Sequence, residues 1–146
     1  MKRNNIYIII LSVLFLSVLA GCKLENSHNG KLDGYWKLRT IDHLLTDETV
    51  DLSEESIFWA VQKDLLVVRN NSGEEFVFHF SKTDKELMVH DAHKSDKNNG
   101  DPKLEDLSVL EKYGIFSDPM TYKIDHLTSR VMVLSTDEIR LTFKKF

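Results

Sequence analysis

One cysteine, Cys22, is all the chain has. No disulfide can form within it, and any core must hold without covalent staples. Long apolar runs are missing too: the longest, Ile6 to Leu19, falls short of the about 20 residues that a spanning helix wants. Cationic surplus is absent, with 19 Lys and Arg against 23 Asp and Glu and a net charge of −4. That balance disfavours nucleic acid and anionic headgroups as partners. No repeats or low-complexity tracts occur, and no catalytic motif stands out. No serine sits in a nucleophile-elbow context, so Asp125 and His126 complete no triad. Glu54-Glu55 and Glu74-Glu75 flank turns, where charge serves solvation. His90-Asp91-Ala92-His93, with Asp96 nearby, is the best metal candidate. On a strand His90 and His93 point to opposite faces, converging only if the chain bends after Asp91. A zinc site would need further ligands, and no cysteine supplies one. The chain is therefore read as non-enzymatic, with no metal and no cofactor.

What is present begins at the N-terminus. Lys2 and Arg3 precede the apolar run, and Leu19, Ala20, Gly21 and Cys22 close it in the order of a secretory signal. These four residues resemble the bacterial lipobox. The resemblance implies cleavage before Cys22 and acylation of that residue with chains such as palmitate. Residues 1–21 would be a signal peptide and 22–31 a polar, flexible tether. Residues 32–146 would form one domain. It also implies a bacterial envelope location, anchored to the outer membrane on its periplasmic face or surface. Loss of Lys2 and Arg3 leaves 17 basic residues against 23 acidic ones, a net charge of −6.

Beyond the tether, short apolar runs alternate with turn residues. Eight strands are expected: 34–41, 56–62, 65–69, 75–81, 86–90, 121–127, 131–135 and 138–145. Lys63-Asp64 makes a tight hairpin, and Asn71-Ser72-Gly73 makes a three-residue loop with glycine in the left-handed position. Those turns set Trp59 opposite Val68, Val61 opposite Leu66, Arg69 opposite Glu75 and Val68 opposite Phe76. A charged pair belongs outside. Ile57, Trp59, Val61, Leu66, Val68, Phe76, Phe78 and Phe80 then face inward, and His79 faces solvent.

Asp101-Pro102 reads as the start of a helix. Its stripe is Leu104, Leu107, Val109, Leu110 and Tyr113, and Gly114 ends it. This one short helix falls between the fifth and sixth strands, where it lies over a barrel end as a plug or cover. Hairpin-linked strands in this number favour an all-β, up-and-down barrel over a sandwich, because closure removes exposed edges.

Gly34-Tyr35-Trp36 carries the Gly-x-Trp that opens the lipocalin fold, and the tail from Tyr122 to Phe143 looks like its closing strands. With the lipobox, the chain resembles the lipocalin-like lipoproteins of gut Bacteroidetes over about residues 32–146. In that family the tryptophan plugs the closed end and a basic residue near the last strand packs across it, a role the resemblance assigns to Arg140. The long helix of lipocalins follows the last strand, whereas here it sits mid-chain. Trp59, Val68, Phe76, Phe78, Phe80 and Tyr122 are the candidate lining of a ligand cavity. An eight-stranded barrel either fills itself with side chains or holds one small ligand. Two readings follow: a carrier of a small apolar or amphipathic ligand, in or at the mouth of the barrel, or a filled barrel acting through its surface loops as a protein-interaction or inhibitor module, on an envelope protein partner or a secreted enzyme.

Overall fold

The computed structural model describes residues 27–146. Leu19, Ala20, Gly21 and Cys22 lie outside the described residues. Nine strands occur, β1 (Gly34–His43), β2 (Glu48–Asp51), β3 (Phe58–Gln62), β4 (Leu65–Arg69) and β5 (Glu75–Lys82), followed by β6 (Glu86–Lys94), β7 (Met120–Leu127), β8 (Val131–Ser135) and β9 (Ile139–Lys145). Each pairs antiparallel with its neighbour from β3 to β9. β1 pairs with both β3 and β9, which closes an eight-stranded barrel. β2 is additional: it pairs with residues 40–43 of β1, above the stretch of that edge that β3 occupies. All four of its residues are exposed, so no apolar alternation marks it in the sequence.

The hairpins follow their turn chemistry. Lys63 takes a φ of 57° and Gly73 one of 87°. The resulting pairs include Trp59 with Val68, Val61 with Leu66, Arg69 with Glu75 and Val68 with Phe76. The inward set is buried as the pattern requires, with Phe80 only partly covered and His79 exposed.

Period two is interrupted where the barrel bends. In β6 Leu87 and Val89 face inward, but the next buried residue is Ala92. Asp91 is the extra residue, a bulge with φ 61°. A bulge leaves amides without ladder partners. Here the Asp118 carboxylate accepts from the N–H groups of Asp91 and Ala92, at 2.8 and 2.9 Å.

The segment after β6 departs from the expected helix. Asp101-Pro102 starts no helix: Lys94 N–H donates to Pro102 O and Leu104 N–H to Ala92 O, so the chain folds back as a ragged extension of the ladder. Asp101 itself has φ 49°, which is not a helical entry. The helix is a 3-10 segment, Leu107–Tyr113, capped by the Asp106 carboxylate accepting from Ser108 N–H. Gly114 ends it in the left-handed conformation, φ 82°. The segment descends into the barrel mouth, where Leu110, Tyr113 and Ile115 have no exposed surface.

Gly114 is required twice over, by its φ and by space. A Cβ there would lie 2.6 Å from a Leu141 methyl, in the core. Gly73 has the same handedness with nothing within 4 Å. Gly114→Ala is expected to cost roughly 3 kcal/mol, strain plus overpacking, and Gly73→Ala about 1 kcal/mol, strain alone. Urea unfolding midpoints compare the two; equal losses would contradict the plug's tight fit.

Candidate functional site

The interior residues named from sequence do come together, and they fill the barrel. Trp59 stands at the centre, its ring 4.9 Å from Phe143 and 5.8 Å from Tyr122 between centroids. Phe76 meets the Tyr113 ring edge-on at 5.8 Å. Trp59, Val68, Phe76, Phe78 and Tyr122 are all buried, while Phe80, opposite Val89, sits at the margin. The plug's backbone satisfies the polar atoms of these aromatics. Trp59 Nε1–H donates to Tyr113 O at 3.0 Å, and the Tyr122 hydroxyl donates to Gly114 O at 2.7 Å. The Tyr113 hydroxyl has no such partner. Burial, then the nearby Glu74 carboxylate, pushes its pKa up to about 12. Its spacing puts Tyr113 on a helical stripe, but its entry into the barrel carries no local signal.

The closed end is built on Gly34 and Trp36. Trp36 is fully buried and its Nε1–H donates to Leu32 O at 2.7 Å. The cation across its ring is Lys145, whose Nζ lies 4.6 Å from the centroid and also donates to Lys31 O. This corrects the assignment to Arg140. Ile139, Leu141 and Phe143 face inward, so parity sends Lys145 in and Arg140 out, opposite Asp42 near the mouth. Gly34, at φ 115°, leaves room for that lysine: a Cβ would stand 2.9 Å from Lys145 Cε. The end of the expected tether is tied down here. Ser27 Oγ donates to Asp33, and Asn29 donates to Asp33 and Lys63 O.

The notable hollows are outside the barrel lumen. One of about 780 Å³ runs along the outer face of β3 and β4, past Tyr35, Ala60 and Val67. Another, of about 230 Å³, opens at the mouth between His43, Leu45, Phe116, Met120, Glu138 and Ile139. Leu45 is 77% exposed and Phe116 40%, so apolar surface is presented to solvent at that end.

Charge is sorted along the barrel axis. The closed-end segments 27–33, 62–65, 82–86, 127–131 and 144–146 carry seven Lys and Arg and four Asp and Glu. The mouth segments 44–57, 70–74, 94–119 and 136–138 carry fourteen Asp and Glu and four Lys. The net negative charge of the chain thus hides an acidic mouth and a mildly basic base.

His79, His90 and His93 lie on the outer wall. Because of the bulge, His90 and His93 both face outward, which strict alternation forbids. Asp91 bridges two imidazoles, His79 Nδ1 at 3.3 Å and His93 Nε2 at 3.1 Å, and the His79 and His90 rings stack at 6.2 Å. His93 Nδ1 also faces Asp101 O at 2.6 Å. Both ring nitrogens therefore meet acceptors, an arrangement that suits imidazolium. The Asp101 carbonyl, then the Asp91 carboxylate, raise the His93 pKa, and the hydrogen bond from His93 holds Asp91 low. Asp96 is turned into its own loop by Asn98 and Asn99. Among the described residues, no group of three His, Cys, Asp or Glu side chains is arranged to hold a metal ion.

A protein-family model described as a lipocalin-like domain matches residues 16–146. Among solved structures, a lipocalin-like protein from Bacteroides uniformis ATCC 8492 aligns with a TM-score of 0.59 at 20% identity, over 80% of this chain and 100% of that one. An uncharacterized protein from Bacteroides eggerthii DSM 20697 aligns with a TM-score of 0.57 at 22% identity, over 78% and 98%. At these identities the likeness is one of fold alone. No curated protein matches the chain.

The His93 latch fastens the 95–101 loop, and its pH dependence has a definite sign. A raised histidine pKa gives stabilisation that is full below the unfolded value of about 6.5 and is lost as pH rises through the folded value. The lowered Asp91 pKa gives stabilisation present above about 3.9 and lost as pH falls through its folded value. Protection of the loop amides against hydrogen exchange, corrected for intrinsic rates, is expected to be greater at a pH near 5.5 than near 8. His93→Gln should remove the difference; equal protection in the wild type at both pH values would refute the latch.

Proposed function

Since the chain belongs to the lipocalin-like domain family, we propose that it is a non-enzymatic binding domain, lipid-anchored in the bacterial envelope through Cys22. Its ligand is small and amphipathic, and it binds at the mouth of the barrel rather than in the lumen. The observation that carries this reading is the plug. Tyr113 and Ile115 occupy the place a ligand would take inside and leave Leu45 and Phe116 exposed above it. The hollow beside Leu45 and Phe116, about 230 Å³, is below the roughly 300–1,000 Å³ of an enclosed ligand pocket. It therefore suits part of a molecule: an apolar group against Leu45, Phe116 and Ile139, with the remainder in water.

The surrounding charge selects the head group. Fourteen acidic residues against four lysines at that end favour a cationic or neutral head and repel an anionic one. The same features favour a second reading, in which the apolar group and the cation belong to the basic surface of an envelope protein. That partner would meet the loops of a filled barrel.

Octyltrimethylammonium and octyl sulfate, each below its micellar concentration, separate head-group selection from mere apolar contact. In amide NMR titrations the cationic amphiphile is expected to shift Leu45, Phe116 and Ile139 while leaving Trp59 in place, and the sulfate to bind at least tenfold more weakly. Phe116→Ser should weaken the cationic amphiphile about tenfold, the loss of one partly buried aromatic contact. Shifts centred on Trp59, or none at all, would sink the mouth reading.

A further inference from the structure

We propose that the closed end of the barrel is a docking face for an anionic phospholipid surface, which holds the acidic mouth pointing away from the membrane. The proposal rests on the reading that Cys22 is the lipid anchor, and extends it from attachment to orientation. Its first support is reach. Five residue steps separate Cys22 from Ser27, at most about 18 Å of extended chain. Ser27 and Asn29 are fixed to Asp33 and to the Lys63 carbonyl at the base of the barrel. The strands of the wall are about 25 Å long, and the anchor joins the domain at the base, so that end is held nearest the bilayer.

The second support is chemistry that complements such a surface. The base carries seven basic residues against four acidic ones. Lys31, Lys85, Arg130 and Lys144 are exposed there. Apolar side chains accompany them at the same end. Phe146 is 87% exposed, its backbone N–H held by Tyr35 O and its ring set edge-on against Phe58. Tyr35, at 48%, and Leu65, at 38%, are also open. Aromatic rings and lysines side by side suit the headgroup level of a bilayer. Each basic residue at an anionic surface raises occupancy about fivefold. A net excess of three is weak from solution, yet it suffices once an anchor confines the domain next to the surface. The mouth, with its excess of acidic residues, is repelled by the same field.

Residues 27–146 close a barrel around their own core, so the chain from Cys22 onward is a fair test object. Its one thiol can be coupled to a maleimide lipid in nanodiscs, one set of phosphatidylcholine alone and one with a third of phosphatidylglycerol, both doped with a gadolinium headgroup lipid. In the anionic discs the amides of Lys85 and Arg130 are expected to relax at least tenfold faster than those of Glu55 and Asp137. The contrast should shrink severalfold in neutral discs and in the Lys85→Glu, Arg130→Glu, Lys144→Glu variant. Comparable relaxation at both ends, or a contrast indifferent to lipid charge and to the substitutions, would overturn the docking face. Metabolic labelling of the full chain with palmitate reads the anchor separately: label is expected on the wild type and lost in Cys22→Ser. An unlabelled wild type would overturn the anchor without touching the nanodisc result.

Discussion

Trp59 is where the wall and the plug become one structure. A buried indole N–H needs an acceptor. For Trp59 it is the carbonyl of Tyr113, at the end of the 3-10 segment. The Tyr122 hydroxyl, equally buried, takes the carbonyl of the next residue, Gly114. Two aromatic donors inside the barrel thus fix two successive carbonyls of a segment with little regular structure of its own. In return the segment delivers Leu110, Tyr113 and Ile115 to the core. An eight-stranded barrel is narrow enough for side chains to fill. Here the filling is shared between the wall and an insertion that returns into it.

The remaining irregularities serve this arrangement. The bulge at Asp91 turns β6 and exposes two amides, and Asp118, at the far end of the same insertion, accepts from both. The insertion is therefore pinned outside by a carboxylate and inside by two aromatic donors. At the opposite end Gly34, Trp36 and Lys145 form a second closure of different chemistry, a cation laid over an indole whose N–H is bound to Leu32 O. With both ends sealed, chemistry is left to the surfaces, and those differ: an acidic mouth with exposed Leu45 and Phe116, and a mildly basic base with exposed Phe146.

Much of the wall was legible because it is set by local signals. Lys63-Asp64 and Asn71 to Gly73 fix turn lengths, the Arg69–Glu75 pair fixes the outer face, and alternation then assigns Trp59, Val68, Phe76 and Phe78 to the interior. Features that depend on distant pairing were not legible. Lys145 meets Trp36 only because the first and last strands pair, and Arg140 fails for the same reason, being one parity step off. That His90 and His93 share the outer face depends on the left-handed Asp91, a bend that the sequence allows there but does not require. The helix does follow β6, but its entry has a misleading local signal: Asp101-Pro102 resembles a cap, whereas Asp106 performs the capping. Function was the least legible, since the apolar residues that fill a barrel and those that line a cavity obey one pattern. The choice between them was made by the insertion.

The most direct test of a sealed lumen is hydrogen exchange at the Trp59 indole N–H, followed by NMR on the nitrogen-labelled ring. If the plug is part of the core, this proton exchanges only through global unfolding, with the opening free energy of the slowest wall amides. Exchange through an opening several kcal/mol cheaper, while the wall amides stay protected, would mean that the segment swings out as a lid. The lumen, rather than the mouth, would then be the place to look for a ligand.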